Sequence, residues 1–592
     1  MVTTHRLPEE TFTELARGDG DPAAVRLLRG VQHSKNLLLL LAIAQEAERA
    51  NSSAPEVVAF RRGYRLLTAV QQTDPGTFAW FLTLPHVGGW AHDSLTRRDR
   101  GRPPDFGYLA SVAAAAGIRS QVPFELDVPV SDGRVALPGL GYFHGVDVGQ
   151  GSRVRLHSDG EYLAIGPHTG VPCAALVPDD GSAVPDGEVS CWHGIAEVRA
   201  VADGQTWRVL LDNTNRYLDR YMLPMAGELT ADDVADWRRG IESAWRVLVR
   251  HHGWAAGPMA EMVSTIVPLI TQGTLQSATA SATFGAISTS WPPTPVAFAE
   301  TLIHEFQHLK LSALMDMRTL TGPCDDRVYA PWRPDPRPAA GIVQGLYAHL
   351  GVTRFWDTQR QLETGPDEVL RAQVTYERWR LSIETTAATL LESGALTPAG
   401  VRLVEILRER GKHLDAASVP SAAREIASES ALDHSLNWQL RHTAVAVAGV
   451  TELAAAYRRG ETLGDRALPA TRIEDDFRKV DSTARSQLLN LRYLEPERYR
   501  ELCAAGMPGH RTADQLLMTG NASGAVQAYR AEIFDDPRPD AWIGLALAIH
   551  RLPSPSRQVF ATQLPLLFEV HACLAGQGIR SDPLDLAAWF LT

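Results

Sequence analysis

The spacing of apolar residues constrains the fold of this chain most, because it changes twice along the sequence. In residues 8–115 apolar side chains recur every three or four positions, which is the period of an amphipathic α-helix. From residue 230 onward the same helical period returns. Between these regions the apolar residues form short runs separated by Gly, Asp and Pro, as in strands and turns: 122–130, 153–156, 162–165 and 206–211. The sequence therefore predicts a mainly α protein of the α+β class.

These two changes of period, together with a further boundary near Pro366, divide the chain into four predicted segments. With about 150 residues per domain, 592 residues allow about two to four domains, each with a sizeable core. We predict a helical N-terminal region at 1–118 and a β-rich subdomain at 119–225. A central segment at 226–365 and a helical C-terminal region at 366–592 complete the chain.

Composition excludes several classes of protein. The net charge of -12 does not supply the clustered Lys and Arg that nucleic-acid binding requires. Five widely spaced cysteines form no CxxC pair, so neither a disulfide framework nor a zinc ribbon is expected. The apolar stretch at 37–44 is far shorter than the ~20 residues of a membrane helix. Without a recognisable signal peptide, we expect a cytoplasmic protein that binds no membrane.

A short motif in the central segment carries the chemistry. Thr294 before Pro295 predicts a helix start, and that helix contains His304, Glu305 and His308 in the order HExxH. Residues four apart share a helix face, so the two imidazoles can bind one divalent metal ion. Glu305 is placed as a catalytic carboxylate beside that metal. The competing interpretation is a pair of solvated helix histidines.

A two-histidine site needs a third protein ligand, and the sequence offers few. No glutamate follows Glu305 until Glu363, and Leu314 stands where metzincins have a third histidine. Between His308 and His413 the only histidine is His349, on a second helix predicted at 341–360. We predict His349 as the ligand, with a hydrogen-bonded core histidine as its competing interpretation. Three aspartates remain open as alternatives: Asp316, Asp325 and Asp326.

Several stretches around the motif resemble one family of enzymes. The chain reads HEFQHLKLSALMDMRTL at 304–320, YAPWRPDPRP at 329–338 and QGLYAH at 344–349. Further similarity lies at Leu7-Pro8, at Gln32-His33-Ser34-Lys35 and at Pro85-His86-Val87, so it spans at least residues 7–360. Together these stretches resemble the HExxH-type, 2-oxoglutarate-dependent peptide β-hydroxylases, which are encoded beside ribosomally made peptides.

The resemblance implies an oxidative role for a motif usually associated with hydrolysis. The metal would be Fe(II), used with 2-oxoglutarate and O2, and the product a ribosomal precursor peptide hydroxylated at a β-carbon during natural-product maturation. Non-haem iron suits such a site because few protein ligands leave positions open for cosubstrate and O2. The fold expected around it is a zincin-like HExxH helix pair, which makes 226–365 the metal-binding catalytic core.

The resemblance also implies where the cosubstrate binds. The distal carboxylate of 2-oxoglutarate suits an arginine, and Arg333 and Arg337 match the family's PWRxDPRP stretch. In the competing interpretation, both arginines brace the Pro-rich loop. Tyr329 and Gln344 are polar groups that could hydrogen-bond cosubstrate or ligand. Lys310 is included too, although the family commonly has HSK where this chain has Leu309 before the lysine.

Three functions compete at this stage. The leading one is the Fe(II)- and 2-oxoglutarate-dependent dioxygenase. The second is a zinc metallopeptidase that uses the same HExxH residues, and the third is a metal-stabilised protein that binds a precursor peptide without turnover. In each case, the segment at 279–290 could hold an extended peptide as an edge strand. The competing interpretation for that segment is a plain buried strand.

Overall fold

The computed structural model describes residues 5–145, 153–165, 168–177, 191–219, 221–271, 275–324, 326–475, 477–480 and 483–592. The chain is 59% helical and 12% strand, so the predicted mainly α, α+β class is confirmed. It divides into two compact units, Met1–Arg318 and Thr319–Thr592. The division falls inside the segment at 226–365.

The first unit begins with helices, as the apolar period predicts. Several of them start at sequence signals for helix capping: Asp21 accepts a hydrogen bond from the Ala24 backbone N–H, and Thr230 and Asp233 form a reciprocal capping box. The helices of this unit are α1 (Glu9–Ala16), α2 (Pro22–Arg49), α3 (Pro55–Thr73), α4 (Pro75–Thr83), α5 (Pro85–Asp99), α6 (Tyr108–Arg119), α7 (Ala231–His251), α8 (Gly253–Met262) and α9 (Pro295–Met315).

The strands of the first unit lie between α6 and α9, which includes the predicted β-rich segment. They are β1 (Phe124–Pro129), β2 (Val135–Leu137), β3 (Gly141–Phe143), β4 (Arg153–Ser158), β5 (Tyr162–Ile165), β6 (His168–Pro172), β7 (Trp192–Gly194), β8 (Ala196–Ala202), β9 (Gln205–Leu211), β10 (Thr265–Leu269), β11 (Ser277–Ala278) and β12 (Ala286–Ser290). Two antiparallel sheets have the orders β1-β4-β5-β6 and β2-β3-β7.

A third, mixed sheet positions the motif helix. Its strand order is β11-β12-β10-β9-β8, with β10 parallel to β9 and β12, and with β11 and β8 antiparallel to their neighbours. Helix α7 packs on β8 and against α9. The segment at 279–290, which we considered as one edge strand, contains a 3-10 turn at Ser281–Thr283 that separates β11 from β12.

In its described residues, the second unit is helical apart from two small antiparallel pairs of strands. Its helices are α10 (Ala339–Gln359), α11 (Pro366–Glu392), α12 (Pro398–Lys412), α13 (Ser421–His442), α14 (Val447–Arg458), α15 (Thr483–Leu494), α16 (Pro496–Ala504), α17 (Thr512–Met518), α18 (Ala522–Asp535), α19 (Pro539–His550), α20 (Arg557–Thr562), α21 (Leu564–Gly576) and α22 (Pro583–Trp589). Strand β13 (Arg327–Val328) pairs with β14 (Arg337–Pro338), and β15 (Thr443–Val445) pairs with β16 (Thr471–Ile473) across the intervening α14.

Each unit has its own hydrophobic core. In the first unit α2 to α6 bury aromatic and alanine side chains against the strands, with Trp90 and Phe81 fully enclosed. In the second unit α13 to α22 enclose Trp542 and Tyr529. The five cysteines carry free thiols, as their spacing predicts. Within the described ranges, no helix is both long and apolar enough to cross a bilayer.

Candidate metal centre

Helix α9 carries the HExxH motif and begins where the sequence predicts. Thr294 Oγ1 accepts a hydrogen bond from the Ala297 backbone N–H at 3.1 Å, and Pro295 occupies the first turn. The apolar residues on either side of the motif are buried, including Ile303 and Phe306. Their burial fixes the rotation of the helix about its axis.

His304 and His308 lie one turn apart on α9 and face each other. Their Nε2 atoms are 3.1 Å apart, and their rings are 4.7 Å apart at an angle of 78°. A metal ion about 2.0–2.1 Å from each nitrogen places the nitrogens about 2.9 Å apart at a right angle and about 3.3 Å apart at a tetrahedral angle. The observed separation lies between these values, so the pair fits a divalent metal ion.

Glu305 is buried beside this pair, with a side chain only 2% exposed. Its Oε1 accepts a hydrogen bond from Ser277 Oγ at 2.7 Å, and Oε2 has no partner among the described residues. Burial raises the pKa of Glu305, although the charge of His308 and the hydroxyl groups of Ser277 and Thr279 act in the opposite direction. The carboxyl is thus fixed at one oxygen while the other can accept a further hydrogen bond or bind a cation.

Ser277 connects the motif to the edge of the mixed sheet. It lies in β11, the terminal strand of that sheet, and pairs with Thr289 in β12. The following residues are held by Tyr221, whose hydroxyl donates to the Thr279 carbonyl at 2.9 Å. Ser277 could not be recognised from the sequence as a partner of Glu305, because it lies 28 residues before Glu305 and belongs to a two-residue strand.

Asp316, one of the alternative third ligands, caps the far end of α9. Its Oδ2 accepts hydrogen bonds from Gln32 Nε2 and Lys35 Nζ on α2, both at 2.8 Å. Two residues of the Gln32–Lys35 stretch that supports the family resemblance thus anchor the motif helix. Asp326 is exposed in the second unit, and Asp325 lies outside the described residues.

Lys310 is buried in the first unit and holds backbone carbonyls. Its Nζ donates to the carbonyl oxygens of Gly18 and Asp19, both at 2.7 Å, and lies 5.1 Å from the centre of the Phe306 ring. These contacts tie α9 to the turn that follows α1. A contact of Lys310 with cosubstrate stays a prediction.

His349 lies on α10 in the second unit and is only 5% exposed. Its ring stacks on Trp332 at 4.4 Å and 17°, and Trp379 packs against it at 4.4 Å. Nδ1 lies 2.8 Å from the Gly345 carbonyl oxygen, an acceptor, so Nδ1 carries the proton and Nε2 the lone pair. This tautomer is the one that metal-binding histidines use. It suits a ligand and a packed core histidine equally, and the third-ligand assignment stays a prediction.

Arg333 and Arg337 share one carboxylate in the Pro-rich loop. Arg333 Nε lies 2.9 Å from Asp335 Oδ1, and Arg337 Nε lies 2.8 Å from Asp335 Oδ2. Partial burial raises the pKa of Asp335, but the hydrogen bond from Arg333 and both positive charges lower it overall. The structure thus gives both arginines a loop-bracing contact. Two guanidinium groups facing one carboxylate retain one positive charge that could bind an acid.

The remaining predicted residues also lie in the second unit. The hydroxyl of Tyr329 lies 2.8 Å from His434 Nδ1, and its ring packs against Trp438. Burial raises the pKa of Tyr329, so it stays protonated at neutral pH. Gln344 is half-buried on α10.

Among the described residues, no group of three or more His, Cys, Asp and Glu side chains forms a metal-binding cluster. The structure brings together His304, Glu305 and His308, and it adds Ser277, which the sequence did not indicate. No family model and no curated protein matches this chain.

Proposed function

We propose that this chain is an Fe(II)- and 2-oxoglutarate-dependent oxygenase that hydroxylates a β-carbon in a ribosomally made precursor peptide in the cytoplasm. The observation that carries the metal site is the His304–His308 pair, with Nε2 atoms 3.1 Å apart next to the buried Glu305. The oxidative chemistry rests on the resemblance of the motif stretches to the peptide β-hydroxylases.

In this proposal the two histidines of α9 hold the metal ion through Nε2. His349 is proposed as the third ligand because no other histidine lies between His308 and His413. When bound, Fe(II) with 2-oxoglutarate and O2 supplies the oxidising power that converts a C–H bond to C–OH. The burial of Glu305 and the apolar residues around it keep bulk water from one side of the pair.

Glu305 has a positioning or substrate-binding role in the oxygenase. Ser277 holds one carboxyl oxygen in place, and the other is available to a peptide N–H or to a ligand of the metal. An extended peptide that added to β11 would run beside Ser277 and therefore close to Glu305. Main-chain pairing of this kind tolerates many sequences, which suits a tailoring enzyme.

For the cosubstrate, we propose Arg333 or Arg337 as the partner of the distal carboxylate. Both are partly exposed, at 48% and 36%, and they compete for the single carboxylate of Asp335. One of them could exchange that contact for a bidentate contact with 2-oxoglutarate. Gln344, Tyr329 and Lys310 are retained as secondary candidates.

A zinc metallopeptidase is the second candidate, and one observation favours it. The carboxyl of Glu305 is buried, has a raised pKa and lies beside two metal-binding imidazoles, as a general base for water requires. The absence of a glutamate between Glu305 and Glu363 weighs against it.

The decisive experiment measures succinate release and peptide mass together. Protein purified without oxygen receives Fe(II), 2-oxoglutarate and the precursor peptide encoded beside it, and then O2. Each hydroxylation consumes one 2-oxoglutarate and one O2, and yields one succinate, one CO2 and a peptide heavier by one oxygen atom. We expect both products with the native chain and neither with His308→Ala.

The matched control is His413→Ala, because His413 is an exposed surface histidine whose ion-pair partner among the described residues is Glu409. It should retain full turnover. Cleavage of the peptide with Zn(II) and without O2 would establish the peptidase instead. Metal binding with neither reaction would point to the third candidate, a peptide carrier.

A further inference from the structure

A cavity of about 170 Å³ lies within the second unit, among helices α11, α13 and α15. Its volume is similar to the ~150 Å³ that accommodates a benzene-sized molecule. That cavity type is apolar, whereas this one is lined mainly by polar and charged side chains. The lining includes Arg378, His434, Asn437, Trp438 and Arg441.

Two arginines give the cavity a positive charge. Arg378 Nη1 donates to the Tyr493 hydroxyl at 2.8 Å, and Arg441 Nη2 donates to the Val480 carbonyl at 3.1 Å. Both of these partners are neutral, and in the described part of the chain no carboxylate lies within 4 Å of either guanidinium. Guanidinium groups of this kind commonly bind carboxylates or phosphates.

The acidic residue in the lining does not neutralise these arginines. Asp433 places Oδ1 3.1 Å from the Nε of the buried Arg485, and its Oδ2 accepts a hydrogen bond from Ser486. Both carboxylate oxygens are therefore already engaged. The field of the two arginines also acts on His434: burial, followed by the charges of Arg378 and Arg441, lowers its pKa to about 4. His434 is therefore neutral at pH 7, and the positive charge of the lining is carried by the arginines.

Two residues of the lining each carry a buried polar atom that lacks a protein partner among the described residues. Trp438 is only 6% exposed and its indole Nε1 has no acceptor. The Oδ1 of Asn437 has no donor, while its Nδ2 donates to the Asp433 carbonyl at 2.7 Å, which fixes the orientation of the amide. Buried polar groups left unpaired cost stability, so such groups usually have a partner in the functional state. Here the partner would need one acceptor and one donor.

We propose that this cavity binds a small carboxylate that also carries a hydrogen-bond donor, such as an α-hydroxy or α-amino acid. The carboxylate pairs with Arg378 and Arg441. A second acceptor oxygen of the ligand takes the Trp438 N–H, and the ligand hydroxyl or ammonium donates to Asn437 Oδ1. The residues that would bind this ligand include no proposed metal ligand. His434 of the lining contacts Tyr329, a secondary candidate for cosubstrate binding, so the test is made without the metal histidines.

Calorimetric titration of the full-length chain tests the proposal. The protein carries His304→Ala and His308→Ala and is treated with chelator, so that neither metal nor chelating cosubstrate contributes. The probes are L-malate and L-aspartate, compared with succinate, which has the same carbon chain but no hydroxyl or amine, and with inorganic phosphate. We expect malate or aspartate to bind at least about fivefold more tightly than succinate, because one hydrogen bond to a buried acceptor is gained.

Variants of the lining give the decisive comparison. Arg441→Gln should weaken binding by about tenfold or more, and Trp438→Phe, which keeps the ring and removes only the N–H, by about fivefold. Arg408→Gln, on the surface in an ion pair with Glu384, should bind as the native chain does. In this His304→Ala, His308→Ala protein, equal binding with the native lining and with either lining variant would overturn the proposal, as would phosphate binding more tightly than every carboxylate. Circular dichroism confirms folding, and Trp438→Phe keeps the test valid if Arg441→Gln does not fold.

Discussion

Burial of the Glu305 carboxyl beside the histidine pair lowers the stability of the fold. A buried carboxyl is destabilising unless hydrogen bonds or charges compensate for its lost hydration. Ser277 compensates one oxygen, and the described residues provide no partner for the other. Such incomplete compensation is typical of groups retained for a reaction rather than for folding. Under the proposed function, this favours a direct role of Glu305 in the chemistry of the oxygenase or of the peptidase.

His86 makes the first unit sensitive to acid. It is 2% exposed, its Nδ1 lies 3.0 Å from the Tyr108 hydroxyl, and burial lowers its pKa to about 3. The unfolded chain, with an ordinary histidine pKa near 6.5, therefore takes up a proton first as the pH falls. Stability is lost from about pH 6.5 downward until the folded-state pKa is reached. Between pH 7 and pH 5 we expect a loss of about 2 kcal/mol from this residue.

Urea unfolding at pH 7 and pH 5 measures this loss, with His86→Asn as the comparison. Asparagine can keep the hydrogen bond to Tyr108 but cannot titrate, so the variant should lose about 2 kcal/mol less than the native chain over this range. Other histidines contribute equally to both proteins. The same pH dependence in both would show that His86 is not buried in its neutral form.

The residues that the sequence could identify are those whose partners lie within one helical turn. His304 and His308 face each other because four residues span a turn, and no knowledge of the fold was needed. Ser277 and the pair Lys35–Asp316 could not be found in this way. Their contacts span 28 and 281 residues, and only the packing of the mixed sheet and of α2 against α9 creates them.

At the scale of elements, helix starts were predictable and short strands were not. Thr294–Pro295 is a local capping signal, and α9 begins there. Strand β11 has two residues, too few to show an alternating pattern, and it exists because Ser277 and Ala278 pair with β12. The edge that could receive a peptide therefore depends on tertiary structure that the local sequence does not encode.

Gly345 allows the Trp332 indole to lie against α10. An added Cβ at residue 345 would overlap the indole ring, which itself stacks on His349. We expect Gly345→Ala to lower the unfolding free energy by about 1–3 kcal/mol, because the ring has to move. Chemical denaturation measures the loss, and the tryptophan emission spectrum should change as Trp332 leaves its stack.

Gly341→Ala is the matched control on the same helix. Its added Cβ would come no closer than 3.9 Å to any neighbour, so alanine should leave the stability unchanged or raise it by about 0.5–1 kcal/mol through helix propensity. Equal effects of the two substitutions on stability would contradict the close packing of the Trp332 ring against Gly345.

Across the whole molecule, the sequence predicts regions of uniform secondary structure. The structure instead groups helices and strands into two units, each around its own hydrophobic core. The helical region at 1–118 and the β-rich segment at 119–225 form parts of one unit because α3, α4 and α6 bury their apolar faces together with β1 and its neighbours. The spacing of apolar residues indicates where helix changes to strand, but it does not indicate which elements share a core. The second unit, built around α13 to α22, was visible only as a helical pattern.

Metal binding should stabilise the native chain as a whole, because a ligand that binds only the folded state shifts the folding equilibrium. At a concentration 100-fold above the dissociation constant, the gain is about 2.7 kcal/mol. We expect Fe(II) without oxygen, and also Zn(II), to raise the melting temperature by a few degrees, since imidazole binds both ions. His308→Ala should abolish the increase, and His413→Ala should retain it. An unchanged increase in a His304→Ala, His308→Ala double variant would place the metal elsewhere and remove the basis of both the oxygenase and the peptidase.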